Sequence, residues 1–285
     1  MVNESLFPTP FASVVGFLRG AFPLMLCFAV VVAISFLPPD SSFRDVDDRG
    51  RLRVCMPVEY PPLVIDSEEF PGFEVELMQE VADRSGWRFS VVPSAAMGRD
   101  FNPRSWRITR AQCEILAGGV ALTSTTRSFM DTSPGHLLTG WVMVSREPQA
   151  EPAQGQDVGF YAGLSGLDRV QLAQYLRQRG SRAAIRPSAN ALREGLMGGE
   201  FDAAVTEALI AFSTFDIDEW STSWLPEELG RFTLGLGFWR GDTTLRKHTE
   251  TIMEQLKNEG FLDALAERYA LEPGVLCHRA GIECR

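Results

Sequence analysis

Two patterns divide this chain: an uninterrupted apolar stretch near its start, and a strand–helix–strand rhythm that fills the rest. Residues 21–37 (AFPLMLCFAVVVAISFL) carry no charge, follow Arg19 and precede Pro38, Pro39 and Asp40. A run so placed and so flanked predicts a secretory signal or a membrane anchor, with the remainder of the chain outside the cytoplasm. Residues 41–50 are polar and charged, and predict a linker.

Beyond it, residues 52–56 predict a strand that ends in a turn at Pro61 and Pro62. Residues 72–86 place Phe73, Leu77, Met78 and Val81 on one helical face. Residues 89–92 predict a second strand and 108–112 the end of a short helix. A buried strand at 114–118 runs into Gly118 and Gly119. The rhythm then repeats. Residues 158–161 predict a strand, and a glycine-containing turn leads into a helix at 167–179 with Val170, Leu172, Tyr175 and Leu176 at helical spacing. A short strand at 184–186 precedes a helix that Ser188 can cap and that ends near Gly198 and Gly199. Residues 202–206 predict another buried strand.

Two such α/β units, each with right-handed crossovers, predict two doubly wound lobes. Residues 139–145 and 232–239 are extended and hydrophobic, and predict two crossover strands that form a hinge between the lobes. The expected organisation is a signal or anchor at 1–40, a linker at 41–50, a first lobe from 51–140 plus 238–272, a second lobe at 141–237, and a cysteine-containing tail at 273–285.

Composition narrows the function. The chain has 285 residues, 45% of them hydrophobic, which is enough for one or two real cores. Its net charge of −10 leaves no basic stripe to neutralise phosphates, so nucleic acid is not an expected partner. Four cysteines lie beyond the apolar run. Outside the cytoplasm they can form disulfides. Cys55 and Cys113 fall on or beside neighbouring strands, and Cys277 and Cys284 can close a small loop in the tail. The alternative, a metal site of Cys277, His278 and Cys284, has a spacing that fits no common zinc pattern. The other histidines, His136 and His248, lie far from any Ser or Cys motif, and neither HExxH nor GxSxG occurs. The AGLSG segment lacks the Gly-Lys-Ser/Thr of a phosphate loop. No metal or cofactor is predicted.

Arg127 and Glu207 carry the most chemistry. Each closes a strand-like segment, in different halves of the chain. A fixed guanidinium and a carboxylate facing one cleft can hold the two ends of a zwitterion. This predicts binding of a small polar solute more strongly than catalysis.

The motifs LRVCMPVEYPPL, GFEVELMQEVADRSGW, CEILAGGVALTSTTR, EFDAAVTEALIAF and LKNEGFLDALAERY occur in this order. Together they resemble the extracytoplasmic solute-binding proteins of polar amino-acid ABC transporters, bacterial family 3, over residues 50–272. The resemblance implies a type II periplasmic-binding-protein-like fold and a monomer that closes around an amino acid or small organic acid and delivers it to an ABC permease. Arg127 matches the arginine that pairs with the ligand carboxylate. Glu207 matches the acidic residue, usually aspartate, that holds the ammonium, and the Gly119 carbonyl assists it. Tyr60 and Phe101 match the aromatic positions that flank the ligand. Gly163 opens a loop whose amides hold the carboxylate. Thr123 and Ala121 complete the set, although Ala121 stands where a serine or threonine is usual and Leu164 replaces a threonine. These departures remove hydroxyls and add bulk.

The resemblance also admits two other readings. The periplasmic cyclohexadienyl dehydratases use this fold for catalysis, and there Glu207 would serve as general acid. The chain shares their GGV segment but lacks their Gly-Gly-Thr-Asn loop. An anchored sensor, or an accessory to a redox enzyme, is the third reading.

Overall fold

The computed structural model describes residues 23, 25–30, 32, 40–97, 103–162, 167–216 and 219–280. Met1–Asp40 and Ser41–Arg285 are separate compact units. In the first, the described residues before Asp40 are helical and exposed. The apolar run at 21–37 lies largely outside the described residues, and among those described no helix is long and apolar enough to cross a membrane. Phe101, Gly163 and Cys284 also lie outside them.

The second unit begins with a helix where a linker is expected: α1 (Ser42–Arg49). Its polar surface carries two apolar anchors, the fully buried Val46 and the half-buried Phe43, whose ring packs on Trp87 and His248. The Ser42 hydroxyl accepts a hydrogen bond from the Leu245 amide at 3.2 Å, so α1 is tied to the helix that contains Leu245. Two apolar residues in a charged octapeptide carry too little periodicity to announce a helix.

The first sheet is built from β1 (Arg51–Pro57), β2 (Arg88–Ser94) and β3 (Ile115–Ala121). β1 lies between the other two in parallel register, with Val54 opposite both Val91 and Ile115. α2 (Phe73–Arg84) is the right-handed crossover from β1 to β2 and buries Phe73, Leu77, Met78 and Val81, the face its spacing predicts. Residues 108–112 form turns rather than a helical end. The Thr109 amide donates to the Gln112 side-chain oxygen at 2.7 Å, a local bond that replaces a helical one.

Two long antiparallel strands follow the pattern of the crossovers. β4 (Asp131–Thr132) is a short pairing before β5 (Leu137–Ser145), which is buried along its whole length. Its first residues pair with β10 (Arg231–Phe238), where Leu137 faces Leu234 and Gly140 faces Arg231. Its later residues pair with β8 (Ala203–Glu207), where Trp141 faces Glu207 and Ser145 faces Ala203. One strand thus belongs to both sheets. The second sheet continues through β6 (Asp157–Phe160) to β7 (Arg182–Ile185), both parallel, and β9 (Ser221–Trp224) adds to β5.

Helices α3 (Ser124–Phe129), α4 (Arg169–Gln178), α5 (Ala189–Met197) and α6 (Ala208–Thr214) alternate with these strands. α7 (Thr243–Asn258) and α8 (Phe261–Arg268) return to the first sheet. Leu52, Phe73, Leu77 and Ile115 share one buried cluster with Leu256 and Leu265 of these returning helices. Trp141, Val158, Leu172 and Val205 form another around the second sheet. The result is the expected two-lobed, type II arrangement of mixed sheets joined by two crossover strands.

Cys55 and Cys113 form a disulfide with a Cα–Cα distance of 5.6 Å, which ties β1 to the residue that leads into β3. Cys277 is also disulfide-bonded. Among the described residues no group of histidine, cysteine and carboxylate side chains has the arrangement of a metal site.

Candidate functional site

Glu207 is the last residue of β8 and is fully buried. Its Oε1 accepts a hydrogen bond from the Thr139 hydroxyl on β5. Its Oε2 is buried without a hydrogen-bond partner, and so is the Tyr60 hydroxyl. The two groups are nevertheless close enough to interact: burial and the neighbouring Glu207 together push the Tyr60 phenol well above its ordinary range. Burial pushes the Glu207 carboxyl up to about 7, and the hydroxyls of Thr139 and Tyr60 and the amides of Leu209 and Ile210 offset part of that rise.

Tyr60 is held by its own loop. Its amide donates to the Val64 carbonyl at 2.8 Å, and the Val64 amide donates back at 3.0 Å. The ring packs against Gly119, where φ is +89° and an added Cβ would sit 2.6 Å from Tyr60 Cε1. Only glycine satisfies both demands. The amides of Gly118 and Gly119 both donate to Oε2 of Glu74, the latter at 3.0 Å. Oε1 of Glu74 meets His136 Nε2 at 2.8 Å, and both side chains are buried. With Glu74 as a carboxylate, Nε2 carries the proton. A buried carboxylate on α2 therefore fixes the glycine pair on which Tyr60 rests.

The structure brings Tyr60, Gly119 and Glu207 together. It places Arg127 elsewhere, on α3 just past the end of β3. Arg127 is exposed, and among the described residues its guanidinium has no ion pair. Thr123 caps this helix, its hydroxyl accepting from the Thr126 amide at 3.1 Å. Ala121 is buried opposite Leu234 in β10. No hydrogen bond or ion pair joins Arg127 to Glu207. Glu207 closes its strand as expected and is sealed, whereas Arg127 does not close β3 but lies on the helix that follows, in solvent.

Beside Tyr60 opens a cleft of about 500 Å³. Glu59, Tyr60 and Pro61 line it from the loop after β1, and Tyr161, Arg193 and Thr214 are among those that line it from the other half. A smaller cavity of about 230 Å³ near His136, Met253 and Leu262 lies apart from these residues. Sequence reasoning missed Glu59, Glu74, Thr139, Tyr161 and Arg193. Thr139 carried a usable signal, as the only hydroxyl within the apolar stretch LLTGWVMV. Glu74 carried none that separates it from Glu76 on the same helix.

Glu207 makes stability depend on pH. Its folded-state value of about 7 lies above the ordinary 4.5, so the folded protein holds a proton that the unfolded chain releases. Stability from this group is complete below about pH 4.5 and is lost as pH rises through about 7. Urea denaturation of wild type and Glu207→Gln at about pH 5 and about pH 8 is expected to show wild type losing roughly 2–3 kcal/mol relative to the variant. A constant difference would mean that Glu207 is not desolvated.

The sequence profile of bacterial extracellular solute-binding proteins, family 3, matches residues 52–272. The chain belongs to this family. Among curated family relatives, it is 23% identical to the L-cystine-binding protein TcyJ of Escherichia coli K12 over 263 residues, 88% of this chain and 95% of that one. Solved structures agree on the fold. A polar amino-acid ABC uptake transporter substrate-binding protein from Streptococcus thermophilus superposes with a TM-score of 0.69 at 14% identity, covering 85% of this chain and 94% of its own. An ancestral cationic amino-acid solute-binding protein superposes with a TM-score of 0.64 at 19% identity, covering 81% and 100%. The family 3 match begins at Leu52 and thus includes Tyr60, Gly119, Arg127 and Glu207.

Proposed function

We propose that this family 3 protein is an extracytoplasmic amino-acid-binding protein that closes around its solute and presents it, as a monomer, to an ABC-type permease. The observation that carries the reading is the fully buried Glu207 carboxyl, which has no ion pair among the described residues and is steadied only by Thr139, Tyr60 and the amides of Leu209 and Ile210. Burial disfavours its charged form, and a solute ammonium would supply the opposite charge that restores it. Hinge opening along β5 and β10 would lift Tyr60 and admit it. On closure Arg127, which has no carboxylate partner among the described residues, would take the solute carboxylate with its planar fork of donors. The Gly119 carbonyl would assist at the ammonium, and Tyr60 and Phe101 would flank the body. The Gly163 amides would add to Arg127, with Thr123 and Ala121 shaping the wall between. The similarity to an L-cystine-binding protein and to proteins described as binding amino acids supports this solute class.

Thermal-shift screening against amino acids, L-cystine among them, and small organic acids tests the reading. A solute at about a hundred times its dissociation constant stabilises the fold by about 2.7 kcal/mol, a shift of several degrees. Arg127→Ala is expected to weaken that solute at least about tenfold by isothermal titration. A screen with no shift, or an unchanged affinity in Arg127→Ala, would remove the amino-acid grip from this site.

A further inference from the structure

The cleft beside Tyr60 has two charged side chains among its described lining residues, and they have opposite signs on opposite walls: Glu59 and Arg193. Glu59 follows β1 in the first half of the molecule. Arg193 projects from the second turn of α5 in the other half. That helix is a fixed platform. The Ser188 hydroxyl accepts from the Ala191 amide at 3.1 Å, and Leu192 and Leu196 are buried beneath it. Both charges are exposed, and neither is ion-paired among the described residues. Arg179, Arg182 and Arg186 on the same half are each engaged by a carboxylate: Glu151, Asp157 and Glu200. Arg193 has no such carboxylate among the described residues, and of the arginines on this half it is the one that lines the described part of the cleft.

The rest of the described lining is uncharged. Tyr60, Pro61, Tyr161 and Ile210 give it apolar surface, and Asn190 and Thr214 give it neutral hydrogen-bonding groups. Its volume of about 500 Å³ exceeds what an alanine would fill and lies in the range, about 300–1,000 Å³, of pockets that enclose much larger small molecules.

We infer that Glu59 and Arg193 are a second, outer grip, and that the preferred solute is an elongated amino acid with an ammonium and a carboxylate at each end. This rests on the proposed function, in which Glu207 and Arg127 hold the inner end. Glu59 takes the far ammonium and Arg193 the far carboxylate. A guanidinium stays protonated at any working pH, so the outer grip selects for a far carboxylate whatever the state of Glu207.

Isothermal titration of the full-length protein with diaminopimelate, lysine, glutamate and alanine tests the inference. Diaminopimelate carries both far groups, lysine only the ammonium, glutamate only the carboxylate, and alanine neither. Diaminopimelate is expected to bind at least about tenfold more tightly than alanine. Arg193→Gln is expected to lower the diaminopimelate-to-alanine affinity ratio about tenfold and to leave the lysine-to-alanine ratio in place; Glu59→Gln is expected to do the converse for glutamate. If both variants weaken every solute alike, Glu59 and Arg193 clamp each other on closure and the outer grip is refuted. Tight alanine binding without preference for diaminopimelate also refutes it, and leaves the amino-acid-binding reading intact. Binding of none of the four, with no shift in the wider screen, overturns both.

Discussion

Replacing both Cys55 and Cys113 with alanine is expected to cost about 4 kcal/mol of stability. The bridge spans a sequence separation of 58 residues. In the chain-entropy account, closing a loop of that length removes roughly that much conformational freedom from the unfolded state. Both cysteines are also core residues, 1% and 0% exposed, and pack with Trp106, Leu116, Val120 and Met130. The double alanine variant avoids leaving a buried thiol or a buried hydroxyl unpaired, so the measurement reads the cross-link and a small packing loss. At about 2–4 °C per kcal/mol for a chain of this size, the midpoint of thermal unfolding falls by roughly 8–16 °C. Urea denaturation of the oxidised wild type against the double variant gives the same quantity at constant temperature. A loss under about 1 kcal/mol would mean that the segment between β1 and β3 remains ordered in the unfolded chain without the bridge.

The same segment shows where pattern reading works and where it stops. β1, α2 and β3 were legible from their apolar residues: Leu52 and Val54 alternate on one face of β1, Phe73 and Leu77 lie one turn apart on α2, and β3 is a continuous apolar run buried on both faces. The crossovers were legible because β5 is buried along its whole length, as a strand shared by two sheets must be, and β10 is buried from Leu234 to Phe238. Short elements were not. α3 and α6 have 6 and 7 residues, fewer than two turns, so no periodicity can build up. α1 failed as a sequence reading for a related reason, because Val46 and the Ser42 hydroxyl anchor it through contacts with distant residues.

The site divides along the same line. Glu207 and Tyr60 could be placed from motifs because one ends a strand and the other sits in the loop after one, and Gly119 because it belongs to a glycine pair inside β3. What the motifs could not give is their state. Glu207 is sealed under Tyr60 and Arg127 is exposed, an arrangement set by how the two halves close and not by any local pattern. Glu59 and Arg193 lie on a loop and on an exposed helical face, where a charge ordinarily means solvation. Only the shared cleft, formed by residues more than a hundred positions apart, distinguishes them from the other surface charges.

Glu74→Ala is expected to cost roughly 3–5 kcal/mol, because it leaves three buried donors without a partner. The carboxylate collects three donors: the amides of Gly118 and Gly119 and the Nε2 of His136. Alanine leaves all three buried and without partners. The damage reaches the cleft, because Gly119 is the surface on which the Tyr60 ring rests. Glu74→Gln separates charge from geometry. Its side-chain oxygen can still accept from the two glycine amides, and its amide group can donate to His136 Nε2 if the imidazole proton moves to Nδ1, which is now without a partner. The glutamine variant is therefore expected to retain most of the stability and the solute affinity, while the alanine variant loses both. Amide hydrogen exchange supplies the local readout: Gly118 and Gly119 should exchange faster in Glu74→Ala than the rest of β3, and near the wild-type rate in Glu74→Gln. Equal stability of Glu74→Ala and wild type would show that the glycine pair is held by β1 and β10 alone, and that α2 contributes only its apolar face.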